Sequence, residues 1–389
     1  MKSFKTPIDA IKNFGKMSSS RSLAIIEKAI VKKEWLYLTN LDASVKIKHG
    51  FPLVDSDYSI EVSEIMSFIK SETVASVDIE GGFITTSAGR KVAISTKEAD
   101  TIDFPKMVFG IEDLPSDRKA FSLEVGNLVS EDADLINYCL KAIVSKNEMT
   151  PALQAVCLNA GQIIATDAHK MVRKDVMGSI GGKNIQLPAI AKVLRSVIAG
   201  SLTVVGFFRN DDSTKALDLQ RKDFIKEKDL NEVKLFKSAY NILTDEDGDL
   251  VISTPHCGDR YPNYAEVYPK ADNSNITCSV SLKDFKEKIK LLLTAANKTT
   301  NVVVLDFEKN KISASDIDMN TSIVLDMPQY LSEPIYKKEA LVIGFNGKFM
   351  LALLDAYKED EFVLMNFFEP LRAMLVNGSL IMPIKVSNY

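Results

Sequence analysis

The 389-residue chain is poor in the residues from which most chemical centres are built. Its four cysteines, Cys139, Cys157, Cys257 and Cys278, show no C-x-x-C spacing, so neither a zinc site nor a redox motif has a basis in the sequence. Reduced thiols in the cytoplasm are the expectation. Histidines number three and tryptophans one, and no glycine-rich phosphate loop is present. No apolar run reaches the ~18 residues of a membrane-crossing helix, so no membrane partner is expected. Met1-Lys2-Ser3-Phe4-Lys5 lacks the continuous apolar stretch of a secretory signal. A strong positive charge is missing too: 48 basic and 52 acidic side chains leave a net charge of −4. Composition alone therefore does not announce a nucleic-acid binder, although near-neutral totals can hide a segregated surface.

What the chain does have is a repeat. The segments 36–42 (LYLTNLD), 163–167 (IIATD) and 312–316 (ISASD) each run a short alternating strand into a small hydroxyl residue and an aspartate. Asp42, Asp167 and Asp316 lie 125 and then 149 residues apart, which is too far for a solenoid and suits a whole domain. Each copy divides into two halves, a helix followed by strands. Apolar spacing predicts helices over 4–17, 62–71, 128–144, 282–296 and 347–357, and one that Pro188 begins and Gly200 ends. The fold class expected is α+β, with two helices packed on antiparallel sheets in each copy. Polar, turn-rich stretches at 109–119 and 270–275 set domains at 1–118, 119–272 and 273–389, and the charged stretch 210–249 reads as an excursion from the repeat.

Lysines decorate the expected helices: Lys5, Lys12, Lys16 and Lys70 in the first copy, Lys141, Lys146, Lys192 and Arg195 in the second, and Lys286, Lys290 and Lys348 among those of the third. In a two-layer domain the helix face away from the sheet meets solvent, so six helices can line one basic surface. An ordinary solvated face explains these lysines equally well. Without arginine-rich base readers or an aromatic cluster, such a surface would touch phosphate weakly, blind to sequence and sensitive to salt.

Residues 259–269 (DRYPNYAEVYP) closely resemble a segment of the bacterial β sliding clamps, the processivity subunits of the replicative DNA polymerase. The strand 165–171 (ATDAHKM), the helix start 345–349 (FNGKF), the tail 380–385 (LIMPIK) and the segment 103–105 (DFP) are similar to further motifs of that family, in the family's order. The resemblance implies three similar domains, two chains closing head to tail around double-stranded DNA, and no catalysis. It also implies a groove for short peptides of the polymerase and the clamp loader, formed by Leu153, Thr166, His169, Lys170, Met171, Pro262, Val267, Asn346, Phe349, Met382, Pro383 and Ile384. Dimer closure would pair the edge strand 89–96, with Arg90, Lys91, Val92 and Ile94, against an edge near 316–326 whose Asp316 and Asp318 complement the basic pair. The chain departs from the family at Ala168 (glycine there), Phe349 (tyrosine) and Glu266 (often arginine).

Two enzyme readings compete. Asp167 and His169 share a strand face as an acid–imidazole pair, yet no nucleophile at a sharp turn joins them. His256 and Cys257 are neighbours and point to opposite faces of a strand. The alternative from another class is a DNA- or nucleotide-processing hydrolase built from repeated β-rich domains. No cofactor and no metal are expected.

Overall fold

A computed structural model describes residues 7–14, 27–41, 43–96, 106–115, 120–144, 150–181, 185–188, 197–207, 239–255, 261–357 and 360–386. Six α-helices are described: α1 (Pro7–Phe14), α2 (Val62–Phe68), α3 (Ser130–Ala142), α4 (Tyr264–Val267, a single turn), α5 (Leu282–Ala295) and α6 (Gly347–Asp355). The reasons for α5 are local. Ser281 caps it by accepting from the Asp284 N–H (3.4 Å), and Leu282, Phe285, Ile289, Leu292 and Ala295 fall on one buried stripe. In α6, Asn346 Oδ1 accepts from the Lys348 and Phe349 N–H groups (3.0 and 3.1 Å), and Met350, Leu353 and Leu354 point inward. A Cβ on Gly347 would stand 3.0 Å from both Leu293 and Val303 side chains, so the start of α6 approaches α5 and its sheet as only glycine comfortably allows.

Packing divides the chain into two compact units, one drawn from 1–137, 157–161 and 176–260, the other from 138–156, 162–175 and 261–389. The stretch expected as a central domain, 119–272, contributes to both. In the first unit a nine-stranded antiparallel sheet runs Ser179–Ile180, Ala120–Leu128, Gly200–Phe207, Ala239–Thr244, Leu250–Pro255, Ser44–Lys48, Trp35–Thr39, Lys28–Lys32 and Tyr58–Glu61. Val74–Asp78, Phe83–Thr86 and Lys91–Ala93 form a separate sheet. In the second unit one sheet contains, in order, Gln162–Thr166, Lys170–Asp175, Ser379–Ile381, Met374–Val376, Phe362–Phe367, Ile276–Ser281 and Ile335–Tyr336. The other runs Thr321–Asp326, Lys311–Asp316, Val302–Asp306, Val342–Asn346 and Pro383–Ile384. A core of α5, α6 and both sheets, centred on Phe285, Phe345, Phe367 and Met350, holds this unit together. The architecture is α+β, as the sequence predicts.

Chain order resolves into six half-repeats, each ending in three antiparallel strands. The third strand of half 1 (Ser44–Lys48) pairs with that of half 4 (Leu250–Pro255), Val45 facing Ile252. The third strand of half 3 (Lys170–Asp175) pairs with that of half 6 (Ser379–Ile381), Met171 facing Leu380. Two third strands remain. Among the described residues, Lys91–Ala93 of half 2 and Thr321–Asp326 of half 5 each end their sheet with one neighbouring strand, apart from a single bridge beyond the first, where Ser95 and Ser59 exchange backbone hydrogen bonds (2.8 and 2.9 Å).

The threefold motif is real, but its register differs from the one read in sequence. Thr39 Oγ1 donates to the Ala43 carbonyl (2.8 Å) and accepts from the Leu41 N–H (3.1 Å). Thr166 Oγ1 does the same with Lys170 and Ala168, at the same distances. Asn40 therefore matches Asp167, and the Asp42 position matches His169; Asp42 itself lies outside the described residues. Asn40, Asp167 and Asp316 each fold a side-chain oxygen onto backbone N–H groups two or three residues ahead, a task Asn and Asp share. Pro188 ends the short strand Ile185–Pro188, in which Gln186 is buried with its carbonyl accepting from Asn241 Nδ2 (2.9 Å). The helix expected to begin at Pro188 falls on 189–196, which lie outside the described residues.

Candidate functional site

The tight turn after Thr166 gathers the groove residues. Asp167 Oδ1 accepts from the His169 and Lys170 N–H groups (3.0 and 2.9 Å), while its other oxygen pairs with Lys170 Nζ. Lys170 is only 5% exposed, an unusual depth for a lysine, and that ion pair is what makes it tolerable. Ala168 takes φ +73°, where glycine is at ease and alanine is strained.

Phe349, on the first turn of α6, joins this turn to the rest. The His169 ring stacks on it (5.6 Å between centroids, 21° between planes), and Lys170 Nζ lies 4.8 Å from its centroid. The Met382 N–H donates to the His169 carbonyl (2.9 Å), which seats the half-exposed Met382 beside the stack. Pro383 and Ile384 continue as a short strand facing Phe345 and Gly344, next to Asn346. Thr166 and Met171 are buried beneath. Tyr261 OH bonds the Ile164 carbonyl (3.3 Å) and Tyr268 OH bonds that of Gly378. Between these two anchors α4 spans the strands and holds Pro262, Glu266 and Val267 exposed. Leu153 sits half-buried on the separate 3-10 turn Pro151–Gln154. The geometry thus offers an aromatic and methionine-bearing floor with fixed polar handles, suited to apolar side chains of an extended peptide.

Catalytic readings find no footing at this turn. Asp167 holds the His169 backbone N–H, and the imidazole is turned to Phe349, so the acid–imidazole pair does not form. His256 and Cys257 lie outside the described residues, as do Lys5, Lys16, Lys146, Lys192 and Arg195. Among the helix cations, Lys70, Lys141, Lys290 and Lys348 are exposed and Lys12 is half-buried. Lys286 is taken by Asp355. At the sheet ends, Arg90 pairs with Glu64 (2.9 Å) and Lys91 Nζ lies over Phe83 (4.1 Å). Val92 is buried and Ile94 is half-buried. Asp316 is buried and occupied with the N–H groups of its own turn, so it is not free to meet Arg90; Asp318 is exposed. Sequence reading missed Arg173, which lies over Tyr268 (4.7 Å) and donates from Nε to Gln162 Oε1 (2.9 Å). Burial raises the Tyr268 phenol above its usual range, against the pull of Arg173. The signal was available: Arg173 follows Met171 on the same strand face.

No family model matches the chain. Two curated Helicobacter pylori proteins named beta sliding clamp are 29% identical over 120 residues and 27% identical over 129. These matches span 31% and 33% of this chain, and only 30% and 33% of the relatives' length. Solved structures match far more of it. The sliding clamp of Pseudomonas aeruginosa superimposes with a TM-score of 0.67 at 15% identity, covering 98% of this chain and 96% of that one. The polymerase III β subunit of Thermotoga maritima gives 0.65 at 19% identity (98% and 97%), and the polymerase β subunit of Streptococcus pyogenes 0.68 at 16% (97% of each). Over nearly its whole length, this chain has the β sliding clamp fold.

Proposed function

We propose that this protein is a sliding clamp: two copies close head to tail into a ring on duplex DNA, and the ring tethers a DNA polymerase and admits a loader through the groove around Phe349. It works without catalysis, in three domains (1–118, 119–272 and 273–389), in the cytoplasm. Among the described residues no helix is long and apolar enough to cross a membrane.

One observation carries this reading, the pairing rule of third strands. Half 1 meets half 4 and half 3 meets half 6. Continued around a closed assembly, the rule makes half 5 of one chain meet half 2 of the next. The strands left for that joint are Thr321–Asp326 and Lys91–Ala93, and an unpaired edge is a liability that pairing with a second copy removes. Val324 is 60% exposed on its edge strand. With Arg90 and Asp316 already engaged, Lys91 and Asp318 remain to steer the register. Exposed lysines on the helices then need only weak phosphate contact, since linkage keeps the ring on DNA.

The test compares retention on nicked circular DNA with retention on linear DNA of the same sequence after loading. Long residence on the circle and rapid loss from linear ends is expected. Equally rapid loss from both, or a solution mass of one chain at high concentration, would overturn the ring.

A further inference from the structure

Beyond the Phe349 cluster, the Lys170–Asp175 strand outruns its neighbour Ser379–Ile381, which turns away at Asn377 and Gly378. The gap is a cavity of about 460 Å³ entered by Arg173 and Lys174. We propose that this cavity is an extension of the groove that receives an acidic side chain of the partner peptide. The inference rests on the groove reading above.

Position comes first. Met171 and Arg173 share a strand face, so Arg173 lies about 7 Å beyond the groove floor, two residues along an extended peptide. Charge decides the occupant. Arg173 is half-buried, with its guanidinium over Tyr268 and its Nε on a neutral amide; Lys174 Nζ lies 5.9 Å from the Tyr357 ring. Among the described residues neither cation has a carboxylate partner, although two carboxylates line the same cavity. Asp175 and Asp360 are each bound to an amide instead, Gln162 Nε2 and Asn377 Nδ2 (both 2.9 Å). Both acids are exposed and screened by water, so the less solvated Arg173 dominates the interior. At the rim the same acids repel a polyanion, which favours a single carboxylate over nucleic acid.

The experiment measures fluorescence anisotropy of labelled peptides carrying leucine and phenylalanine anchors, the apolar side chains that the floor around Phe349 and Met382 suits. A glutamate or a glutamine is placed two or three residues beyond the anchors, at either end in separate peptides. At one end glutamate binds about tenfold tighter than glutamine at low salt. Arg173→Gln brings that ratio to one and Arg173→Lys restores part of it; Lys174→Gln, on a more exposed side chain, lowers it without risk to folding. Equal binding of both peptides, with both still weakened by Met382→Ala, overturns the cavity and leaves the groove standing. No binding by any peptide overturns both. Displacement of the glutamate peptide by a short single-stranded oligonucleotide at the same concentration assigns the cavity to nucleic acid and overturns the carboxylate.

Discussion

The turns after Thr39 and Thr166 have the same skeleton and different duties. Each is closed by a threonine hydroxyl bridging a carbonyl and an N–H, and each places a residue at φ near +75°, Leu41 in one and Ala168 in the other. The divergence sits in the residues the skeleton leaves free. The first turn has Asn40 and a buried Ala43 where the second has Asp167 and a buried Lys170. The second thereby gains an ion pair, a cation over Phe349 and a histidine stacked on the same ring. In the proposed groove, a duplicated turn would gain its binding residues without altering the bonds that make it a turn.

The largest expected effect breaks the comparison at Asn40 and Asp167. Asp167→Ala leaves the Lys170 charge buried and unpaired, a loss of about 3–5 kcal/mol. Asn40→Ala removes one cap-like hydrogen bond, about 1 kcal/mol. Urea unfolding measures both. The double variant Asp167→Asn with Lys170→Ala imitates the first turn and should recover most of the stability while peptide binding is lost. Equal costs for the two alanine variants would mean that Lys170 escapes to water. Next in size, Thr39→Val and Thr166→Val each cost about 1–2 kcal/mol by removing the bridging hydroxyl. Only the second also weakens partner-peptide binding; a matching loss from Thr39→Val would misplace the groove.

This comparison also marks how much was legible. The threefold repeat and α+β class were readable because strand alternation and small-residue turns leave a local trace, as does the stripe of α5. The register was not. Matching by residue identity set Asp42 against Asp167, whereas the bonds equate Asn40 with Asp167, since an Asx turn accepts either side chain. In the site, Thr166, His169, Lys170, Phe349 and Met382 were named from motif resemblance, and the structure brings them together. That Asp316 would spend its carboxylate on its own turn was hidden for the same reason. A side chain's choice between near backbone and distant partner depends on geometry that spacing does not encode. Arg173 was missed because its partner Tyr268 is far away in sequence.

Histidines extend the contrast to pH. His49 is buried, its Nε2 on the Lys33 carbonyl (2.8 Å) and its Nδ1 accepting from the Phe51 N–H (2.8 Å), an arrangement that needs the neutral ring. Burial lowers its pKa below the usual 6.5, outweighing the Lys33 hydrogen bond and Glu34. The unfolded chain then binds the extra proton first, so His49's contribution is full above pH 6.5 and shrinks as pH falls below it. Urea titrations at pH 7.5 and 5.5 should show this loss in the native chain, and His49→Gln should reduce it. His169→Gln, changing an exposed ring, should leave it in place.

The smallest effect asks whether the two turns are strained alike. A non-glycine residue in the left-handed region costs about 1–2 kcal/mol, and glycine's extra freedom in the unfolded chain gives back about 0.5–1. Ala168→Gly and Leu41→Gly should therefore each stabilise by up to about 1 kcal/mol, Leu41 somewhat less where its half-exposed side chain rests on neighbours. The two gains should add, because the turns share no residue. Urea midpoints of the two single variants and the double variant decide it. If Ala168→Gly destabilises while Leu41→Gly stabilises, the second turn relies on its alanine, and the backbone itself, beyond the side chains at 167, 169 and 170, has diverged between the copies.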